Sequence, residues 1–298
     1  MKRNEIAKLN SAQAATNRFG IGMLTPTLIV LLVMTAYPLI FTFVYSFTDY
    51  NYLKGTENAS FVLFDNYVSL FKNGYFQQAV WNTIKFTILA VVLEMALGLL
   101  IAVFVNSLKR GQKIMRTLLL LPYLLPAVTV ALSWRMMLSA NYGIINQFLK
   151  GLGLPVFNWF MDTKTAFGTI LLIDVWQNVP FVFLLLYASL QSVSENQYEA
   201  ACIDGAGFFQ QFWYITLPNI KGSLALCALL RTIDTFRLFE KVNVLTGGGP
   251  AGTTTTITQF LYTYGIESLD FGFGSAGAIV MTVLVLILSS FYIKRAMG

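Results

Sequence analysis

Six apolar runs, each long enough to cross a bilayer, constrain this chain more than any other feature. A span needs about 20 apolar residues to cover the hydrocarbon core. Such runs occupy residues 21–47, 83–105, 114–138, 167–190, 220–238 and 274–293. Hydrocarbon offers the backbone no water, so each run must satisfy its own N–H and C=O groups as a helix. The expected fold class is therefore all-α, a polytopic membrane bundle of six transmembrane helices. Composition agrees: 11% of the residues are charged, against about 25% in soluble domains. Aromatics reach 15%, as interfacial belts and tightly packed bundles require.

Several function classes fall away. The net charge is +6, but the basic residues gather at the ends of apolar runs and form no solvated face, which argues against nucleic acid. Cys202 and Cys227 have no disulfide or metal spacing. The chain has no histidine, so histidine metal sites and the usual general base are missing. Neither catalytic residues nor a metal site are expected. The first run follows Lys2, Arg3, Lys8 and Arg18. Its apolar core is too long for a signal peptide and no Ala-x-Ala pattern follows, so it reads as an uncleaved span.

Lysine and arginine assign the sides of the membrane. One face collects Lys2, Arg3, Lys8, Arg18, Lys109, Arg110, Lys113, Arg116, Lys221, Lys294 and Arg295. The other collects Lys54, Lys72, Lys85, Lys150, Lys164 and Lys241. Eleven against six places both termini in the cytoplasm, and with them the connection between spans four and five.

That connection holds the most specific motif. It reads Glu199-Ala200-Ala201, three residues ending at Asp204, then Gly205-Ala206-Gly207, and closes on Ile215-x-Leu217-Pro218. The pattern suits two short helices joined by a tight bend. Gly205 or Gly207 can adopt the positive φ that other residues resist. Ala200 and Ala201 allow close backbone approach, Glu199 offers a carboxylate to a basic partner, and Pro218 marks a break before span five. An interfacial connection whose residues merely satisfy each other is the plainer reading of the composition alone.

The full spacing resembles the EAA loop of the membrane subunits of ATP-binding-cassette importers. Further segments resemble the sugar-permease branch of that family, which includes the maltose-type transporters. They are Asn82-Thr83, Leu121-Pro122-Tyr123-Leu124-Leu125-Pro126, Trp134-Arg135, Asn141-Tyr142-Gly143, Trp176 with Pro180, and Thr246-Gly247-Gly248-Gly249-Pro250. The resemblance implies a type I importer transmembrane domain. Residues 1–20 would be a cytoplasmic segment, 21–47 the first transmembrane helix and 48–77 an external linker. Residues 78–296 would be the transport domain, with its EAA loop at about 195–218. It also implies partners: a second homologous permease, two ATPase subunits that receive the EAA loops, and an extracytoplasmic solute-binding protein. The location implied is the bacterial cytoplasmic membrane. The chain has no Gly-x-x-x-x-Gly-Lys-Ser/Thr loop, so ATP and magnesium belong to the partner subunits and this chain is not itself an enzyme.

Ionisable groups inside spans are expensive, about 2.5–3.5 kcal/mol each on insertion scales, and need a reason. Span four places Asp174, Gln177, Asn178 and Phe181 on one helical face. Hydrogen-bonding groups beside an aromatic ring suit a sugar. Span five adds Asp234 and Thr235, with Arg231 and Arg237 nearby, and span three adds Tyr123 between two prolines. In the sugar permeases that this chain resembles, these helices line a mid-membrane pocket. Tyr123, Asp174, Gln177, Asn178, Phe181, Asp234 and Thr235 are thus the expected contacts of a small carbohydrate-like solute. Bonding among themselves or to the paired permease is the alternative, and Arg231 can pair with Asp234 at i, i+3. Glu94 is expected to bond a neighbouring span, Arg135 to snorkel at the outer interface, and Gly272, Gly274 and Gly277 to mark close helix packing. The competing function is a secondary carrier driven by an ion gradient, which would also explain buried carboxylates.

Overall fold

The computed structural model describes the backbone of residues 2–55, 59–108 and 110–297. Lys109 and Asn58 lie outside the described residues, as do the side chains of Lys2, Arg3, Lys8, Arg18 and Arg295. The chain forms α1 (Lys2–Tyr45), α2 (Asp65–Lys72), α3 (Gly74–Ser107), α4 (Gln112–Leu124), α5 (Ala127–Met137), α6 (Ile144–Gly151) and α7 (Ala166–Leu190). It continues through α8 (Glu195–Ile203), α9 (Phe208–Gln211), α10 (Leu217–Phe236), α11 (Glu240–Leu245), α12 (Ile257–Leu261) and α13 (Phe271–Met297). The described residues hold no strand, only two isolated bridges, Thr48 with Phe61 and Asn51 with Asp270.

Four helices among the described residues, α1, α3, α7 and α13, are long and apolar enough to cross a membrane. The run at 114–138, read as one span, is two helices, α4 and α5, meeting at 90°. Proline explains the break. Pro126 has no N–H to continue the ladder, and it drives Leu125 to an extended conformation, φ −81° and ψ 137°. Helix α10 is 20 residues long but carries Lys221, Arg231 and Asp234, which lower its apolarity.

Helices α3 and α7 form the centre. Towards one end Phe86, Ala90, Ile170 and Ile173 pack with Val130 of α5 and with Val242 and Leu245 of α11. Towards the other Ala102, Val105, Val182, Phe183 and Leu186 pack with Ile220 and Cys227 of α10. Lipid removes the hydrophobic drive between helices, so close backbone approach must hold them together. Gly98 supplies it: a Cβ there would stand 2.7 Å from the Cβ of Val182. The close packing expected at Gly274 is equally plain, since a Cβ would come within 2.6 Å of the Gly265 Cα. A side chain at Gly272 would strike the Thr48 carbonyl, and one at Gly277 would strike Leu261.

The first helix is peripheral. None of its span 21–45 is buried, and it packs on α13. The segment after it is stitched in more firmly. Asn66 donates to the carbonyls of Ser46 and Thr48 at 2.9 and 2.8 Å, and Gly272 N–H donates to Tyr50 O at 2.9 Å. The Thr246–Thr256 loop is anchored by the Asn82-Thr83 pair that opens the second run. Asn82 Nδ2 donates to Gly252 O and Thr255 O at 2.9 and 3.0 Å, and Thr83 Oγ1 accepts from Ile257 N at 2.9 Å.

Candidate functional site

The EAA-like loop folds as two short helices, α8 and α9, with Gly205 at the bend. Gly205 takes φ +78°, whereas Gly207 is extended at φ −73°. The bend is a Schellman-type stop: Ala206 N–H donates to Ala201 O at 2.8 Å and Gly205 N–H to Cys202 O at 3.1 Å. Gly207 N–H then donates to Gln210 Oε1 at 2.9 Å, opening α9. The break expected at Pro218 is absent. The chain runs helically from α9 through a π-turn, Phe212–Thr216, into α10, and Pro218 sits in the first turn of α10. The π-turn already breaks the regular i→i−4 ladder just before it, so the N–H that proline lacks is tolerated there. Two side-chain bonds clamp α8 to the π-turn and to α10: Tyr198 Oη with Thr216 Oγ1 at 2.9 Å, and Asn219 Nδ2 donating to Gln197 Oε1 at 2.9 Å.

The loop's outer surface is unusual for a polar connection. Ile203, Phe209, Trp213 and Tyr214 are 87%, 75%, 63% and 80% exposed, with Glu199 and Asp204 exposed among them. Large exposed apolar groups rimmed by carboxylates are the pattern of a surface that contacts another protein or the membrane.

The interior polar groups converge on Arg231. Its Nε and Nη2 donate to Glu94 Oε2 and Oε1 at 2.6 and 3.0 Å, a bidentate pair. Nη2 also lies 3.8 Å from Asp174 Oδ2, and Nη1 lies 3.4 Å from Asp234 Oδ2. Lys241 of α11 closes the set by donating to Asp174 Oδ1. Glu94, Asp174, Arg231 and Lys241 are all buried. Buried ions persist only when paired and hydrogen-bonded, and here the pairing joins α3, α7, α10 and α11.

Around this set the expected solute contacts divide. Asp174 is enclosed by its ion pairs. Gln177 is buried and donates to Leu125 O at 2.9 Å, the carbonyl freed by the α4–α5 break. Thr235 is buried and donates to Arg231 O at 2.8 Å. Asn178 is half-buried and donates to Asp174 Oδ1 at 3.0 Å. The rings of Tyr123 and Phe181 stack at 5.4 Å, tilted 31°, with Tyr123 exposed and Phe181 half-buried. The side chain of Asp234 is 56% exposed. Of the expected contacts, Tyr123 and Asp234 are thus exposed, Asn178 and Phe181 half-buried, and Asp174, Gln177 and Thr235 buried.

Sequence reasoning missed one member. Lys241 counts there as an outer-loop charge, yet it is 4% exposed. Its apolar neighbours Val242 and Leu245 are the available signal of burial. Glu94 does bond a neighbouring span, and its partner is Arg231. Arg135 donates from Nη1 to Val244 O at 2.9 Å.

Relatives supply the family. The model of the family described as "Binding-protein-dependent transport system inner membrane component" matches residues 94–295. The chain is 37% identical to a trehalose/maltose transport system permease protein of Thermococcus litoralis, over 99% of this chain and 98% of that one. It is 33% identical to a sulfoquinovosyl glycerol transport system permease protein of Agrobacterium fabrum, over 91% and 88%. An sn-glycerol-3-phosphate transport system permease protein of Escherichia coli is also 33% identical, over 78% and 79%. In fold, the chain matches a bacterial transporter that imports the acidic polysaccharide alginate, with TM-score 0.85 and 23% identity, covering 95% of this chain and 96% of that one. These findings favour an ATP-driven importer subunit over a gradient-driven carrier. The chain belongs to the binding-protein-dependent transport system inner membrane component family, and is a multi-pass permease subunit of an ATP-binding-cassette importer.

Proposed function

We propose that this chain carries a small saccharide, polyol or sugar derivative inward across the cytoplasmic membrane, driven by ATP hydrolysis on separate subunits. The substrates named for its relatives, trehalose or maltose, sulfoquinovosyl glycerol and sn-glycerol-3-phosphate, support that class. In this reading the working complex has a second homologous permease, two ATPase subunits that hold ATP and magnesium, and an extracytoplasmic solute-binding protein. The bundle crosses six times, with α4–α5 as one bent crossing and α10 as another. Both termini are cytoplasmic, and removing the buried Lys241 from the outer count strengthens the charge bias.

The observation that carries this reading is the exposed apolar and acidic face of the loop. We assign Glu199, Ala200, Ala201, Asp204, Gly205, Ala206, Gly207, Ile215, Leu217 and Pro218 to the element that seats on an ATPase subunit. Tyr123, Asn178, Phe181 and Asp234 contact the solute, and Asp174, Gln177 and Thr235 hold them in place. Closure of the ATPase pair then moves the loop, α10 follows, and the bundle alternates between outward and inward openings.

Two substitutions test the docking. Gly205→Pro forces a bend with φ +78° into a residue fixed near −65°, and Glu199→Lys reverses the charge offered to the partner. Both variants should reach the membrane in normal amounts, lose most solute uptake, and fail to co-purify with the ATPase subunits. Normal uptake by both variants would refute the docking assignment.

A further inference from the structure

We infer that the connection between α5 and α7 lies in the bilayer surface, where α6 is an interfacial anchor. Its apolar stripe enters the acyl boundary and the lysines beside it meet lipid phosphates. This goes beyond the transport reading and depends on neither the solute nor the side of the membrane. Helix α7 is long enough to cross the bilayer and starts at Ala166, so residues tied to its first turns stand at the membrane boundary. Thr169 Oγ1 donates to Trp159 O at 3.2 Å. Ile145, Trp159 and Phe160 pack on the cluster that holds Ile170 and Ile173. The connection therefore folds back onto the bundle instead of reaching into water. Its other end is equally close. A Cβ at Gly143 would stand 2.5 Å from Met137 O, so α6 begins directly against the end of α5.

One buried side chain fixes this platform. Asn146 donates from Nδ2 to Phe157 O at 2.9 Å, and its Oδ1 accepts from Trp159 Nε1 at 2.9 Å. The chain that follows α6 is thereby held against it. With Asn146 facing inward, Ile144 and Phe148 share the opposite face at i and i+4, and are 66% and 67% exposed. Leu152, Leu154, Val156 and Met161 are exposed beyond them. Apolar groups of this size at a membrane boundary bury themselves in the headgroup and acyl layer. Charge selects lipid as the occupant. Between residues 138 and 165 the charged side chains are Lys150, Asp162 and Lys164. Asp162 Oδ1 accepts from the Lys164 backbone N–H at 2.9 Å, and both lysine side chains are exposed. Lysine lays its stem on apolar surface and extends its ammonium to the phosphate level. The α8–α9 loop is the contrast. Its exposed apolar groups stand among Glu195, Glu199 and Asp204, with no lysine or arginine between residues 192 and 219, a charge that lipid phosphates repel.

The test replaces Phe148 with the photoreactive residue p-benzoylphenylalanine, and in a second variant Ile203. Each purified complex is placed in nanodiscs of equal phosphatidylethanolamine and phosphatidylglycerol and irradiated, with and without the solute-binding protein. Intact mass and gel mobility then read the adducts. The probe at Phe148 should gain the mass of one phospholipid in both conditions, with phosphatidylglycerol favoured about threefold or more. Adding Lys150→Glu and Lys164→Glu should bring the two lipids to parity or below. The probe at Ile203 should give no lipid adduct. Cross-linking of the Phe148 probe to the paired permease or to the binding protein overturns the inference, as does the absence of a lipid adduct or an equal yield at both positions. Equal adducts of the two lipids with both lysines in place overturn the role assigned to Lys150 and Lys164.

Discussion

Arg231 determines how the interior of this protein is held together. Among the described residues it is the one side chain that meets charges from three helices, Glu94 on α3, Asp174 on α7 and Asp234 on its own α10. Removing one member of a buried pair leaves an uncompensated ion and costs about 3–5 kcal/mol, whereas removing both costs far less. Glu94→Ala and Arg231→Met should each lower the unfolding midpoint of the detergent-solubilised complex sharply. The double variant should recover much of the loss, with a coupling of about 2 kcal/mol or more in the mutant cycle. Additive losses would show that the pair contributes nothing jointly. The sequence makes each of these charges conspicuous, because a carboxylate or guanidinium in an apolar run demands an explanation. The pairing was not legible, since Glu94 and Arg231 are 137 residues apart and no local pattern links them. Arg231 with Asp234 was legible, being an i, i+3 contact on one helix. Lys241 was misplaced because a lysine just past an apolar run looks like a loop charge until α11 folds back onto α7.

At the level of the helices, the packing of α3 on α7 is the contact that positions everything else. It depends on a missing side chain: a Cβ at Gly98 would stand 2.7 Å from Val182 Cβ and 3.1 Å from Phe183 N, and backbone cannot move aside. Gly168 of α7 is a natural control, with nothing within 4 Å of the added atom. Overpacking of this kind costs about 1–3 kcal/mol. Gly98→Leu should therefore lower the melting temperature of the purified complex by several degrees, about 3–10 °C, while Gly168→Ala should leave it unmoved. Equal melting of the two variants would mean that the α3–α7 seam is looser than the backbone distances imply. The spans themselves follow from apolar run length, and the helical boundaries fall within a few residues of it at α7 and α10. The 90° bend at Pro126 was harder to read. Hydropathy averages over a break, and only the capture of Leu125 O by Gln177, 52 residues away, shows why a broken helix is tolerated there.

Across the whole molecule, α10 is the rod that connects the loop to the charge cluster. Its first turn is clamped to α8 by Asn219 with Gln197, and the π-turn just before it by Tyr198 with Thr216. Its far end carries Arg231 and Asp234. The 17 residue steps from Leu217 to Asp234 span about 26 Å at helical rise, a large part of the bilayer core. The π-turn at Phe212–Thr216 lies at the joint between loop and rod, where the backbone ladder is already irregular and the two clamping bonds must fix the angle. If the loop seats on an ATPase subunit as proposed, a push on it reaches the cluster only while those bonds hold. Loosening them should cut transmission without touching the docking face or the pocket. The double substitution Tyr198→Phe with Asn219→Leu removes both bonds and leaves Glu199, Gly205 and Asp234 in place. In proteoliposomes the variant complex should retain its subunits and hydrolyse ATP at a rate near that of the wild type. Solute delivered per ATP should fall severalfold, because the motor turns against a slack joint. A stoichiometry equal to that of the wild type would show that force reaches the bundle by another route, through α7 and the direct packing of α3 against it.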